Sequence, residues 1–234
     1  MSEGTAGHRK RLRARFAQGG IGALADYEVL ELLLSYAIPR KDTKPLAKRV
    51  LARFGGLAGV VDATDRELLD VPGMGPETVL FLRFVRAFLQ RYLDSRLQGR
   101  ELVRTPELVR AHLRLLLQGR RTECFGVIFA DRGLRALATE VLFEGDLGRA
   151  AVYPRLIMRR ALELDAASLV LFHNHPGGAK VPSEADVRIT QAVIEAAKAL
   201  EMRVLDHFLV VDDEALSFRE QGWPPFGGCM PPRS

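Results

Sequence analysis

Residues 168–186 read Ser-Leu-Val-Leu-Phe-His-Asn-His-Pro-Gly-Gly-Ala-Lys-Val-Pro-Ser-Glu-Ala-Asp. A short run of apolar residues that ends in turn formers is typical of a buried strand, here at 168–175. A helix at 184–200 and a strand at 203–211 are predicted to follow. This alternation of strands and helices predicts an α/β unit built around a buried sheet.

The same alternation continues upstream of this stretch. There we predict two helices and two strands, at 106–118, 124–130, 134–143 and 154–164. The fold class is therefore α/β for a domain over residues 101–223. Residues 1–100 show helical apolar spacing without β-branched alternation, which predicts a separate all-helical domain. The residues 224–234 are rich in proline and glycine and are expected to form a flexible tail.

The composition excludes several classes of protein. With 47% hydrophobic and 27% charged residues, the chain has the composition of a globular protein rather than a disordered one. No apolar run approaches the ~20 residues that span a bilayer, and the N-terminus lacks an apolar signal segment. We therefore expect no membrane partner and a cytoplasmic location. Cys124 and Cys229 are too few for a disulfide scaffold.

Positive charge is concentrated in the first domain. Residues 1–100 contain 17 of the 34 lysines and arginines but only 11 of the 29 acidic residues, so they carry +6 against −1 for the rest. A basic domain fits contact with phosphate groups. A solvated helical surface is the alternative interpretation of the same charges.

Two histidines and an aspartate form the first candidate site. His173 and His175 lie two residues apart on a predicted strand, so both imidazoles point to the same face. Asp186 lies in the first turn of the next helix, whose N-terminus can approach the end of that strand. Two imidazoles and one carboxylate are a zinc ligand set that leaves a fourth position for water. The alternative is that Ser183-x-x-Asp186 is only a helix-capping box.

A glycine-rich turn forms the second candidate site. Gly73 and Gly75, in Val-Pro-Gly-Met-Gly at 71–75, lie between two predicted helices, and glycine permits the positive φ of a tight turn. Backbone N–H groups at the start of the next helix then form an anion site, as in the helix–hairpin–helix motif. Arg83 and Arg86 on that helix favour binding of DNA phosphates without sequence readout. A turn that only packs the two helices together is the alternative.

The pattern His-x-His-Pro-x6-Ser-x2-Asp at 173–186 resembles the JAMM motif of the JAB/MPN+ metalloprotease superfamily. The chain as a whole, to about residue 222, is similar to the bacterial RadC family, also called UPF0758. The stretches that carry this similarity are 7–13, 26–34, 71–75, 153–155, 173–176 and 205–207. The resemblance implies a helix–hairpin–helix domain followed by a JAB/MPN domain with a mixed, cytidine-deaminase-like sheet.

The resemblance also implies roles for individual residues. His173, His175 and Asp186 match the ligands of one zinc ion per chain, and Ser183 matches the residue that steadies the oxyanion. The superfamily also has an upstream glutamate as general base, and here Glu123 matches best, with Glu140 as the competitor. A glycine at position 177, where relatives often carry serine, leaves the ligands unchanged.

His207 is interpreted as a histidine satisfied within its strand. The alternative is a hydrogen-bond partner beside the metal.

Two functions are consistent with these features. The first is a JAMM-type peptidase or isopeptidase, in which zinc-bound water attacks an amide carbonyl of a protein or peptide substrate that the sequence does not identify. The second is a non-catalytic DNA-binding accessory factor in repair or recombination. The helical domain could also recruit a hydrolase to DNA, so the two functions are compatible.

Overall fold

The computed structural model of the chain describes residues 3–145 and 152–228. The chain forms two compact units, Met1–Phe88 and Leu89–Ser234. This division lies upstream of the domain boundary predicted at residue 100. The physical reason is that the end of the intervening helix belongs to the second unit, where Leu97 is buried in the core.

The described part of the first unit is helical, as predicted. Its helices are α1 (Glu3–Gly19), α2 (Asp26–Ala37), α3 (Lys44–Phe54), α4 (Leu57–Asp62), α5 (Asp65–Leu69) and the first half of α6 (Pro76–Leu97). Gly55 ends α3 in the left-handed conformation with a φ of 75°. Thr64 and Glu67 form a capping box that starts α5. Leucines and valines from these helices, such as Leu34 and Val50, form the core.

The second unit is a mixed five-stranded sheet with helices on both faces, which confirms the predicted α/β fold. Its further elements are α7 (Pro106–Leu117), β1 (Cys124–Ala130), β2 (Ala136–Glu144), α8 (Pro154–Glu163), β3 (Ser168–Asn174), α9 (Glu184–Ala199), β4 (Arg203–Val211) and β5 (Glu214–Ser217). The strand order is β2-β1-β3-β4-β5, and of these strand pairs only β3–β4 is parallel. Apolar side chains of α7 pack on one face of the sheet, and those of α8 and α9 pack on the other.

The short strand β5 was not predicted. It follows β4 through a two-residue turn at Asp212 and Asp213, in which Val211 pairs with Glu214. Asp212 has a φ of 52°, which such hairpin turns require. An Asp-Asp pair is a weaker turn signal than Asn-Gly, so this hairpin is hard to find by its turn residues.

The end of the described chain lies close to the sheet. The Phe226 N–H donates to the Trp223 carbonyl at 3.1 Å, and both rings contact the small core beside β4 and β5. Residues 229–234 of the predicted tail, including Cys229, lie outside the described residues. Among the helices of the described ranges, none combines the length and apolarity needed to cross a bilayer.

The sheet places the candidate site at the carboxyl end of its central strand. All seven residues of β3 are buried. Phe125 of β1 pairs with His173 on one side, and Leu209 of β4 pairs with it on the other. Strand ends at this edge of a parallel pair are where α/β sheets commonly bind ligands.

Gly126 of β1 provides a test of this packing. A Cβ atom at Gly126 would overlap both the Phe172 ring and the Glu140 carbonyl oxygen. We expect Gly126→Ala to lower the free energy of unfolding by ~1–3 kcal/mol in urea denaturation, because overpacking forces strand and ring apart. Gly177→Ala is the control, since a Cβ at that position meets open space. Equal stability of the two variants would contradict this account of the β1–β3 contact.

Candidate metal centre

Three side chains converge at the end of β3. His173 and His175 alternate with Asn174, so their imidazoles share one face, and Asp186 approaches from the first turn of α9. The Nε2 atoms of the two histidines are 3.1 Å apart. The Asp186 carboxylate lies 3.4 Å from Nε2 of His173 and 3.2 Å from Nε2 of His175. Within the described residues, this is the group of side chains arranged to hold a metal ion.

A buried chain of hydrogen bonds fixes the tautomer of His173. The Thr190 hydroxyl donates to the backbone carbonyl of Asp186, so its oxygen must accept a hydrogen from Nδ1 of His207, 2.7 Å away. Nε2 of His207 is then an acceptor, and it receives the Nδ1 hydrogen of His173 at 2.8 Å. Nε2 of His173 therefore carries a lone pair directed into the site.

The tautomer of His175 is fixed in the same way, but by a single hydrogen bond instead of a chain. Its Nδ1 lies 2.9 Å from the carbonyl oxygen of Ala179, which can only accept a hydrogen. The neutral ring consequently presents its Nε2 lone pair to the site. Two nitrogen lone pairs and a carboxylate oxygen thus face one another, an arrangement that needs a proton or a cation between them. The donor set fits a metal ion on this ground.

The pKa values reflect this crowding of acceptors. Burial alone raises the pKa of Asp186, but contacts with His173, His175 and Ser183 outweigh it and leave that pKa lowered. Burial opposes protonation of His175, yet Asp186, the Ala179 carbonyl and Glu123 together raise its pKa. Both shifts have one cause: the three side chains together favour a positive charge among them, which a bound metal ion would supply.

His207 is neutral because of its burial. It is fully buried, and burial together with the nearby His173 lowers its pKa well below the usual range. Its ring stacks on Phe218 with 4.4 Å between centroids. A neutral His207 is what the hydrogen bond to His173 requires.

Ser183 caps α9 and contacts Asp186 at the same time. The Asp186 N–H donates to Ser183 Oγ at 3.2 Å, and the Ser183 N–H donates to Asp186 Oδ2 at 2.6 Å. The capping box and the metal-ligand arrangement are therefore present together rather than as alternatives. The cap holds the carboxylate in place, and the Ser183 side chain also helps to lower the pKa of Asp186.

Glu123 and Glu140 have different surroundings. Glu123 immediately precedes β1, and continuing the pairing of Phe125 with His173 brings it opposite His175. Its charge contributes to the raised pKa of His175. Glu140 lies on β2, which β1 separates from β3, and it accepts hydrogen bonds from the Arg160 guanidinium. Glu123 is thus the glutamate on the side of the candidate metal centre.

Asn174 holds the backbone on both sides of Glu123. Its Oδ1 accepts from the Cys124 N–H at 2.7 Å, and its Nδ2 donates to the Thr122 carbonyl at 3.1 Å. The Asn174 side chain is buried. The residue between the two histidines therefore fixes the peptide that carries Glu123.

Comparison with known proteins identifies the family. Residues 103–223 match the model of the RadC-like JAB domain, and residues 6–80 match the model of the UPF0758 N-terminal domain. A UPF0758 protein of Photobacterium profundum is 40% identical over 213 residues, which cover 91% of this chain and 95% of that protein. The chain belongs to the RadC (UPF0758) family. The resemblance that the sequence motifs indicated is confirmed.

The UPF0758 N-terminal domain contains the glycine-rich turn. Gly73 connects α5 to α6 with a φ of 96°, and a Cβ there would touch Leu46 of α3. The carbonyl oxygen of Gly75 accepts hydrogen bonds from the N–H groups of Thr78 and Val79. These bonds form the start of α6.

Arg83 and Arg86 are tied to the neighbouring short helices α4 and α5 of this domain. Arg83 contacts Asp65 and donates to the carbonyl of Val61 at 3.1 Å. Arg86 donates to the same carbonyl at 3.2 Å and lies 3.5 Å from Asp62. Both guanidiniums therefore lie at the carbonyl end of α4. Binding of nucleic acid by Gly73, Gly75, Arg83 and Arg86 stays a prediction.

Two residues of the RadC-like JAB domain escaped sequence reasoning. Thr190 lies one helical turn after Asp186, a spacing that places it beside the ligand, but threonine in a helix has many ordinary roles. Asn174 points away from the histidine face, which hid its role from a search for ligands. His207 is satisfied within the core, as interpreted, and also bonds directly to His173.

Thr190 provides a test of the hydrogen-bond chain. We expect Thr190→Val to weaken zinc binding about tenfold in chelator competition, since His207 loses the acceptor that fixes its tautomer. Thr43→Val is a matched control, because Thr43 is also buried and donates to a backbone carbonyl, that of Glu31. Both variants should lose some stability. Unchanged zinc affinity in Thr190→Val would contradict the tautomer assignment.

Proposed function

We propose that this protein is a zinc-dependent amide hydrolase of the JAMM type, a peptidase or isopeptidase. The observation that carries the proposal is the convergence of two imidazole lone pairs and a carboxylate beside Glu123. The RadC-like JAB family membership supports it, since the domain family includes metallohydrolases.

Zinc is the metal that best suits this donor set. Two imidazole nitrogens and one carboxylate oxygen are borderline-soft ligands typical of zinc, and three protein ligands leave a fourth position open. A zinc ion held by His173, His175 and Asp186 would polarise a substrate carbonyl and make water acidic near neutral pH.

Glu123 is the proposed proton carrier. Its carboxylate accepts a proton from the attacking water and later returns it to the leaving amine, so one group serves both steps. To serve both steps, the Glu123 carboxylate needs a fixed position close to the metal ligands. Asn174 supplies it through its hydrogen bonds to the Cys124 N–H and the Thr122 carbonyl.

Ser183 is the proposed oxyanion donor. Its oxygen accepts from the Asp186 N–H, which holds the side chain beside the ligands, where the hydroxyl can donate to a developing negative charge. Preorganised donors of this kind stabilise the tetrahedral state without reorientation during the reaction.

The decisive experiment compares metal content and amide hydrolysis in the same variants. Protein purified without chelator should contain about one zinc per chain, and Asp186→Ala should lose it. Glu123→Gln should keep zinc but lower hydrolysis of a fluorogenic peptide and isopeptide library by at least about 100-fold, because the base is absent.

Glu140→Gln is the matched control for Glu123→Gln. It removes an equivalent charge at a glutamate paired with Arg160, so zinc content and hydrolysis should both be retained. Absence of zinc from the wild-type protein, even after its addition, would refute the metal centre. Full activity of Glu123→Gln would refute only the role of Glu123.

DNA binding by the helical domain is a second candidate function. The observation that favours it is the turn at Gly73 together with Arg49 and Arg53 on the adjoining helix α3. Arg53 donates to the Asp70 carbonyl at 3.3 Å, directly before the turn, and Arg49 is exposed on the same helix. Such a surface would bind phosphates without sequence specificity and could bring the hydrolase to DNA.

Salt dependence tests this second function. We expect Arg49→Glu to weaken binding of a duplex measured by fluorescence anisotropy and to reduce the slope of log affinity against log salt by about 1. Arg132→Glu, an equal charge change in the second unit, should leave both quantities unchanged. If the wild-type protein shows no binding at low salt, the function is excluded.

A further inference from the structure

Helix α6 carries a row of large apolar side chains on its surface. Leu80, Phe84 and Phe88 are 64%, 65% and 61% exposed, in a helix whose other side contributes Val79 and Leu82 to the core. Exposed aromatic residues in a continuous row are uncommon on a soluble protein surface and mark interaction sites. We call this row, with Glu77 and Arg91 at its ends, the α6 face.

The α6 face lies along one side of the helix. Its five residues are spaced by three, four, four and three positions. At 3.6 residues per turn, the other four lie within about 40° of the direction of Phe84. The row is symmetrical about Phe84 in sequence, since each residue on one side has a counterpart at the same distance on the other.

The charged residues at the two ends of the α6 face follow the same symmetry: one is acidic and the other is basic. Glu77 lies seven residues before Phe84, and Arg91 lies seven residues after it. Both are exposed, and within the described ranges neither has an ion-pair partner. The nearby Arg83 and Arg86 are neutralised by Asp65 and Asp62, so they do not repel a positively charged copy of the same surface.

We propose that the α6 face is the interface of a homodimer, in which two copies of α6 pack antiparallel about a two-fold axis at Phe84. This axis brings Phe84 against its own copy and Leu80 against Phe88. It also brings Glu77 of each chain to Arg91 of the other, so that both ion pairs form. A closed two-fold interface requires a surface complementary to itself, and the order of residues on the α6 face supplies it.

The size of the apolar area indicates a reversible dimer. Aromatic side chains offer ~150–250 Å² each when covered, so the three central residues expose roughly 300–400 Å² per chain. A stable interface of standard size buries about 800 Å² per partner. With the charged ends included, the area that the α6 face can bury lies at the low end of the range for stable interfaces. We therefore expect a dissociation constant on the order of micromolar.

Sedimentation velocity of the full-length chain over about 1–500 µM tests the proposal, a range chosen to span that constant. The wild-type protein should change from monomer to dimer with concentration. Phe84→Glu should remain monomeric throughout, because it places two carboxylates together at the axis. Ile21→Glu is the control: Ile21 is 64% exposed but lies outside α6, so this variant should dimerise as the wild type does. Circular dichroism checks that both variants are folded.

Charge reversal tests the antiparallel arrangement separately. Glu77→Arg and Arg91→Glu, each alone, should raise the dissociation constant roughly tenfold, since each places like charges opposite one another twice per dimer. The two substitutions together should restore the wild-type value. A monomeric wild-type protein at about 500 µM, dimerisation of Phe84→Glu, or failure of the double reversal to restore binding would each overturn the proposal.

Discussion

Two nitrogen lone pairs and a carboxylate oxygen face one another at the carboxyl end of β3, and each is held there by a hydrogen bond on its far side. His173 is held by His207, His175 by the Ala179 carbonyl, and Asp186 by the Ser183 N–H. Atoms of like charge at such distances repel one another unless a positive charge lies between them. The neighbouring elements of the second unit hold these three groups in place against this repulsion.

Each neighbouring element contributes to that support. The strand β4 supplies His207 from the interior of the sheet, and α9 supplies both Asp186 and Thr190 one turn apart. Full burial keeps His207 neutral, so the hydrogen-bond chain carries no charge of its own. The strand β1 contributes through its end rather than its middle, because Glu123 lies just outside the strand beside the ligands. The stability of the sheet and the geometry of the centre therefore depend on the same strand pairings.

Sequence reasoning worked best where one physical signal dominated. The strands at 124–130 and 203–211 were predicted with the bounds found, since short apolar runs between turns have few alternatives. His173, His175 and Asp186 could be grouped because strand periodicity and a helix start place them together. Arg83 and Arg86 illustrate the opposite case. Their helix was predicted, but their contacts with Asp65 and Asp62 on neighbouring helices depend on tertiary packing that periodicity does not report.

Asn174 has a consequence for which changes in chain length the domain can tolerate. Side chains alternate between the faces of β3, so a single-residue insertion within the strand would exchange the face of the histidines with that of Asn174. The ligands would then turn away from Asp186, and the peptide of Glu123 would lose its hydrogen bonds. The loop after Pro176 does not alter this alternation, but it contains the Ala179 carbonyl that holds His175, and it leads directly to Ser183 and Asp186. Relatives of this protein should therefore keep both the length of the strand and the spacing from the two histidines to Asp186.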